Sequence, residues 1–305
     1  MAAILDYLGY FLGGYFALTV ALYMLSLVVP KAAFVARTLA SYISMLYATM
    51  FGVIVSILLR LVGQSQIAQW ATGRCFKYLM VLTTGITFEV EDPKGHMKKV
   101  RPAVFIGNHQ TELDVLMLGC IFPKYCSVTA KASLRKTPFL GWFMSLSDSI
   151  FIDRQNSKDA RQAMSGAANE IRQKRQSVYM FPEGTRSYAK DPMLLPFKKG
   201  AFHLAVQAQV PIVPVVVPNY SHILWIKGMV FKAGTVPCKV LDPIPTIGLT
   251  AADVDQLTNT TRELMLKELI ELTERVQGRK IESVPDKYEG NGVAKTTGAE
   301  MKIAA

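Results

Sequence analysis

The chain has 305 residues, 50% of them hydrophobic, with a formal net charge of +11 and a pI near 9.4. That combination excludes a disordered or acidic protein and leaves room for one large domain with appendages. A basic, apolar chain points to a membrane surface or an anionic substrate; no basic run interleaved with stacking aromatics and no zinc-finger, RRM or KH pattern points to nucleic acid.

Two uncharged stretches, Tyr7 to Pro30 and Thr38 to Leu59, open the chain. Each exceeds the roughly 18–20 apolar residues that cross a bilayer core as a helix. Only Lys31 to Arg37 separates them, so residues 1–63 read as a membrane hairpin that spans or inserts deeply. The first stretch has no basic n-region and is too long for a cleaved signal peptide. Arg60, Arg74 and Lys77 on one side outweigh Lys31 and Arg37 in the loop, which favours a cytosolic main domain.

Residues 64–250 read as the main domain. Gln64 to Thr84 forms a membrane-proximal amphipathic helix, with Ile67, Trp70, Phe76 and Met80 broken by Arg74 and Lys77. Ile86 to Glu91 alternates as a half-buried strand. Ala103–Gly107, Ser127–Ala130, Ser149–Asp153, Val178–Phe181 and Ile212–Val217 read as buried strands, and Ser157–Arg175 as a helix capped by Ser157. Strands near Phe231 and Lys239 extend the sheet, and Pro211 and Pro214 suit an edge or irregular strand. The fold class is therefore α/β, a mixed and partly parallel sheet covered by helices. Residues 251–285 are helical, and the Gly-, Lys- and Thr-rich residues 286–305 form a mobile tail. Cys75, Cys120, Cys126 and Cys238 form no C-x2-C pair and do not cluster with histidine, so free thiols in a reducing compartment and no metal site are expected.

The chemistry concentrates in Val104-Phe-Ile-Gly-Asn-His-Gln-Thr-Glu-Leu-Asp114. His109, one of four histidines, ends a strand, with Asp114 five residues on. Within a regular helix of about 3.6 residues per turn these two would point apart. They meet if His109 precedes the first turn, with Gln110 or Thr111 near the helix start and Asp114 inside it. An imidazole held by a carboxylate is a ready general base for a hydroxyl group.

Three further blocks follow in order: Ser149-Ile-Phe-Ile-Asp-Arg154, Val178-Tyr-Met-Phe-Pro-Glu-Gly-Thr-Arg-Ser187 and Val210-Pro-Ile-Val-Pro-Val215. Together the four blocks resemble the glycerolipid acyltransferases, in particular the fungal type of the eukaryotic 1-acylglycerol-3-phosphate acyltransferases. The resemblance runs from about Gln64 to Val240. It implies direct transfer from acyl-CoA, a substrate rather than a cofactor, to the 2-hydroxyl of lysophosphatidic acid. The product would be phosphatidic acid for phospholipid and triacylglycerol synthesis. It further implies an endoplasmic reticulum membrane, with lipid droplets as a second location.

The same resemblance assigns the Glu183–Arg186 block to the acceptor phosphate. Arg186 can fork onto a phosphate, Thr185 or Ser187 can add a hydroxyl, and Gly184 permits close backbone approach or positive φ. Glu183 binds a glycerol hydroxyl or braces Arg186. Arg154 and Lys131 follow strands and are further phosphate candidates; Lys198 and Lys199 are weaker ones. Phe139 and Trp142 line an acyl pocket, touch the membrane interface or fill helix core. The block holding Pro211 and Ile212 is linked by the resemblance to the acyl donor, although its residues read as core strand. Glycerol 3-phosphate or another lysophospholipid is an alternative acceptor. A lipid hydrolase is disfavoured by the lack of a G-x-S-x-G elbow, and a non-catalytic scaffold by the intact His109 and Asp114. Oligomeric state and acyl-chain preference are open.

Overall fold

The computed structural model describes residues 2–153, 157–281, 287–289 and 293–295. In chain order the elements are α1 (Ala2–Leu25), α2 (Pro30–Leu61), α3 (Ala68–Thr84), β1 (Ile86–Glu91), α4 (His96–Lys99), β2 (Val104–Gly107), α5 (Asp114–Ile121), β3 (Cys126–Lys131), α6 (Leu140–Leu146), β4 (Ile150–Ile152) and α7 (Ser157–Lys174). Then come β5 (Ser177–Met180), α8 (Gly200–Ala208), β6 (Ile212–Val216), β7 (Leu224–Trp225), β8 (Val230–Phe231), β9 (Gly234–Val240), α9 (Val254–Gln277), β10 (Lys287–Glu289) and β11 (Val293–Lys295).

A seven-stranded sheet runs in the order β1-β9-β6-β2-β5-β3-β4. Its pairs are parallel except β6 against β9, so β1 and β9 form an antiparallel edge on a parallel sheet. This is the mixed α/β class the alternating elements predict. One apolar core packs α3 and α5 on one face around Phe76, Phe105, Leu116 and Val215. The other packs α7, α8 and α9 around Ile106, Ile171, Phe202 and Leu269. Phe105 and Ile106 therefore face opposite ways, the period-two alternation of a strand buried on both sides.

Three expectations are corrected. The loop between the first two helices is Ser26 to Val29, and Pro30 starts α2 at its first turn, where the missing N–H costs nothing. Lys31 and Arg37 thus lie within α2 rather than in a loop. Pro214 sits in the central strand β6, not at an edge. It is tolerated because the β9 ladder starts only at Val215 and Val216, while the Pro214 carbonyl still accepts from Leu241 N at 2.9 Å. β8 pairs with β7 in a separate hairpin, so only β9 extends the main sheet. In the C-terminal region expected to be mobile, β10 and β11 pair antiparallel.

Helix α2 buries a stripe of small residues, Ala32, Ala36, Ala40, Ser44, Ala48, Gly52 and Ser56, at four-residue spacing. Small side chains in one row let α3 approach closely. Arg37 donates to the carbonyls of Thr84 (3.0 Å) and Phe231 (3.1 Å). At the far end Arg60 donates to Asp148 at 3.0 Å and to the Leu146 carbonyl at 3.2 Å. These two anchors are about 35 Å apart along the helix. Helix α2 therefore lies along the domain instead of leaving it. Helix α3 carries this packing to α5, where Gly119 has no Cβ to strike the Gly73 carbonyl and Arg74 donates to the carbonyls of Gly119, Cys120 and Phe122.

Candidate active site

The parallel strands β2, β5 and β6 end at one edge of the sheet, the edge where open α/β folds gather ligands. Residues 108–113 leave β2 there and lead into α5. Asn108 continues the ladder with its side chain: Nδ2 donates to the Val217 carbonyl, and Oδ1 accepts from Val217 N, both at 2.9 Å. Gln110 Nε2 donates to the carbonyls of Val217 (3.2 Å) and Pro218 (2.8 Å). This turn, rather than the helix, carries His109.

His109 Nδ1 lies 2.7 Å from Asp114 Oδ2, and Asp114 stands in the first turn of α5. Asp114 is fully buried, while 17% of the His109 side chain is exposed. The same Oδ2 accepts from Gln110 N (2.6 Å) and Thr111 N (3.2 Å). Oδ1 accepts from the Tyr220 hydroxyl at 2.6 Å, which also meets Thr111 Oγ1 at 2.9 Å. Burial first, then the Asp114 charge, pushes the Tyr220 phenol well above its ordinary value, so it stays a donor. With a carboxylate at Nδ1, the proton resides on that nitrogen and Nε2 is left with a lone pair. Phe181 stacks on the imidazole, ring centres 4.1 Å apart and planes 16° from parallel.

The Glu183 block clamps this turn. His109 N donates to Glu183 Oε1 at 2.6 Å, and Ser187 N donates to the His109 carbonyl at 3.0 Å. Tyr188 N donates to the Gln110 carbonyl at 3.0 Å. Glu183 Oε2 accepts from Leu195 N at 2.9 Å. Burial pushes the Glu183 carboxyl up to about 8, against the two backbone N–H bonds and the charge of Arg262. Arg262 itself donates to the carbonyls of Leu194 (2.6 Å) and Leu195 (3.3 Å). Glu183 is thus a brace, but for the backbone of His109 and Leu195 and not for Arg186. Gly184 turns the chain at φ 70°, and a Cβ there would press on the Lys198 side chain.

Arg186 points to the surface. Its Nη1 donates to Glu112 Oε1 and to the Tyr188 hydroxyl, both at 2.9 Å, and Tyr188 donates to Glu112 at 2.6 Å. Its Nε is buried and has no hydrogen-bond partner among the described residues.

Comparisons with known proteins bear on this edge. The Acyltransferase family matches residues 88–218, the segment that builds it. The chain is 44% identical over 222 residues to the 1-acyl-sn-glycerol-3-phosphate acyltransferase of Saccharomyces cerevisiae, covering 73% of each chain. It belongs to the 1-acyl-sn-glycerol-3-phosphate acyltransferase family. It is also 41% identical over 218 residues to the human beta enzyme of that name, covering 72% of this chain and 76% of the relative. The fold is similar to the crystal structure of the 1-acyl-sn-glycerophosphate acyltransferase PlsC from Thermotoga maritima, at 21% identity and a TM-score of 0.59, over 80% of this chain and 99% of that one.

The remaining predicted residues of this acyltransferase divide. Lys131 ends β3, exposed, on the edge where His109 lies. Arg154 lies outside the described residues. Thr185 is exposed. Ser187 is buried and acts through its backbone N–H. Lys199 pairs with Asp255 at 2.7 Å. Phe139 and Trp142 stack edge-on at 5.1 Å, and Trp142 is 54% exposed, so neither is helix core. Pro211 and Ile212 do not reach the edge. Ile212 is fully buried and pairs with Val104 at the start of β2, the opposite end of the strand from His109. Their block serves the site through Val217 and Pro218, which hold Asn108 and Gln110. Tyr220 and Glu112 contribute to the site without having been singled out from sequence. The order β6-β2 is the signal that places the segment after β6 beside the segment after β2.

Proposed function

We propose that this acyltransferase moves a fatty acyl group from acyl-CoA to the 2-hydroxyl of 1-acylglycerol 3-phosphate, forming phosphatidic acid. The observation that carries the reading is the His109–Asp114 pair, closed at 2.7 Å on the same edge as Arg186. His109 Nε2 takes the proton of the acceptor hydroxyl as its oxygen attacks the thioester carbonyl. The new C–O bond forms, the C–S bond breaks, and the proton passes from His109 to the departing CoA sulfur. Asp114 steadies the imidazolium between these steps. The phosphate of the acceptor displaces Glu112 from Arg186 and meets its guanidinium fork. Acyl-CoA enters as a substrate, and the chain's own residues carry the step without a cofactor.

Helices α1 and α2 are long and apolar enough to cross a membrane. With both ends of α2 tied to the domain, the hairpin rests along one face of the bilayer, and the exposed apolar residues of α1 and α3, among them Phe11, Phe16, Tyr78 and Leu82, enter it. The domain faces the cytosol from the endoplasmic reticulum membrane, on the side where acyl-CoA is found and cysteines stay reduced.

Purified full-length protein, given acyl-CoA and a panel of acceptors, tests the reaction by free CoA and lipid product. CoA release that requires lysophosphatidic acid, with phosphatidic acid formed in equal amount, is expected. Release without an acceptor would mean hydrolysis, and preference for glycerol 3-phosphate would move the acceptor.

A further inference from the structure

With Pro211 and Ile212 at the far end of the sheet, the polar end of the acyl donor has no place assigned to it. A cavity of about 470 Å³ is lined in part by Lys190, Asp191, Ser221, His222, Trp225 and Arg279. Its walls continue segments of the site. Lys190 follows two residues after Tyr188, which contacts Arg186, and Ser221 follows Tyr220, whose hydroxyl bonds Asp114. The walls are joined: the Ser221 hydroxyl donates to the Lys190 carbonyl at 2.7 Å, and Asn219 Nδ2 donates to the Ala189 carbonyl at 3.1 Å.

The lining is cationic and aromatic. Lys190 and Arg279 face one acid, Asp191, which lies 3.9 Å from Arg279, too far for a strong pair. The Lys190 ammonium stands 5.0 Å from the centre of the Trp225 ring. The buried Trp225 indole N–H has no hydrogen-bond partner among the described residues. Burial, then the charge of Lys232, lowers the His222 imidazole below its ordinary value, so His222 adds no firm charge of its own in a region that is already positive. Surplus positive charge, an unmet N–H donor and an aromatic ring together suit a phosphorylated ligand with a flat ring. A cavity of this size falls within the range that holds such ligands.

We propose that this cavity receives the nucleotide end of acyl-CoA, with Lys190 and Arg279 on its 3′-phosphate and Trp225 beside its adenine. The assignment rests on acyl-CoA being the donor. It separates the two phosphate-bearing substrates: Arg186 meets the acceptor, the cavity meets the donor, and the flexible arm of CoA brings the thioester from the cavity to His109. The other phosphate monoester within reach of a membrane enzyme is a lipid headgroup, which the experiment distinguishes.

The test uses full-length protein, with Lys190→Ala, Arg279→Ala and the double variant. In the double variant the KM for acyl-CoA rises about tenfold, the loss of roughly one charge-assisted contact, while the acceptor KM holds. On wild-type protein, CoA inhibits more strongly than 3′-dephospho-CoA; on the double variant the two inhibit alike. The proposal is overturned if 3′-dephospho-CoA matches CoA on the wild type. It is equally overturned if the double variant keeps the wild-type donor KM, or loses binding to phosphatidate-containing phosphatidylcholine vesicles while the donor KM holds. If the wild type shows no acyl-CoA-dependent transfer, both readings fall together. If it does and the donor KM is unmoved in the double variant, only the cavity assignment falls.

Discussion

The His109–Asp114 pair and the Arg186 fork share one edge of the sheet and are built in opposite ways. Asp114 is fully buried and accepts four hydrogen bonds, from His109, Gln110, Thr111 and Tyr220. His109 is fixed at its ring by Phe181 and at its backbone by Glu183 and Ser187. Arg186 is 38% exposed and leans on Glu112, itself 49% exposed. An exposed pair of this kind contributes about 0–1 kcal/mol and is readily replaced. On the proposed mechanism, the groups that would handle the proton are over-determined before substrate arrives, and the group that would meet a charged substrate keeps a partner that substrate can displace. Preorganisation counts most where misplacement raises the barrier, and exchangeability counts where a ligand must enter.

The largest effect should come from breaking the rigid half. His109→Ala loses about 10²–10⁴ in kcat while the protein stays folded. Asp114→Asn is also severely impaired, because an amide favours the wrong imidazole tautomer and cannot steady imidazolium. The double variant is little worse than either single one, since the pair acts as a unit. Single-turnover rates, with folding checked by circular dichroism, decide this; near-normal kcat in His109→Ala would remove it as the base. His203→Ala, on the exposed side of α8, keeps its activity.

Glu183 tests the support beneath that pair through pH. Its folded value of about 8 lies above the ordinary 4.5, so the folded chain holds a proton that the unfolded chain has released between those values. The stabilisation tied to that proton is complete below 4.5 and is lost as pH rises through about 8. In between, stability falls by up to about 1.4 kcal/mol per pH unit from this group. Glu183→Gln should be less stable at pH 5, because its amide cannot accept from both His109 N and Leu195 N, and its stability should change less from pH 5 to pH 8. Equal pH slopes for the two proteins in denaturant titrations would refute the assignment.

The flexible half gives a smaller and different signature. Arg186→Ala should raise the acceptor KM about tenfold, by loss of a charge-assisted phosphate contact, with the donor KM held. Arg186→Lys should restore only part, lacking the planar fork. An unchanged acceptor KM in Arg186→Ala would detach this residue from the phosphate.

How far the sequence carried the reading follows the same division. Helix α7, expected over Ser157–Arg175, spans Ser157–Lys174, and the expected strands fall within a residue or so of their runs, because apolar period and turn residues are local signals, although β4, expected to be buried, is a half-buried edge strand. Helix geometry left the meeting of His109 and Asp114 conditional on His109 preceding the first turn, and the resemblance of the four blocks is what favoured it. What stayed hidden depends on strand order. Nothing local tells that Val217 and Tyr220 lie beside Asn108 and Asp114, that Pro214 is central, or that the Pro211–Ile212 end of β6 points away from the edge. Glu183 misled for a related reason: its partners are backbone N–H groups of His109 and Leu195, which carry no side-chain signature.

Tyr220 gives the finest cut between the two halves, because it touches only the rigid one. Tyr220→Phe keeps the ring, which packs edge-on to Phe88 at 6.1 Å, and removes the hydroxyl alone. Asp114 then keeps three of its four donors, and Thr111 loses a partner. A single buried hydrogen bond is worth about 1 kcal/mol net, so kcat should fall severalfold at most, far less than for His109→Ala. The KM of neither substrate should move, since Tyr220 is buried and its hydroxyl bonds the buried Asp114 and Thr111. A selective fall in kcat identifies a residue that positions the carboxylate. A rise in acceptor KM with constant kcat would instead join Tyr220 to the exchangeable half, and the separation of the two would not hold.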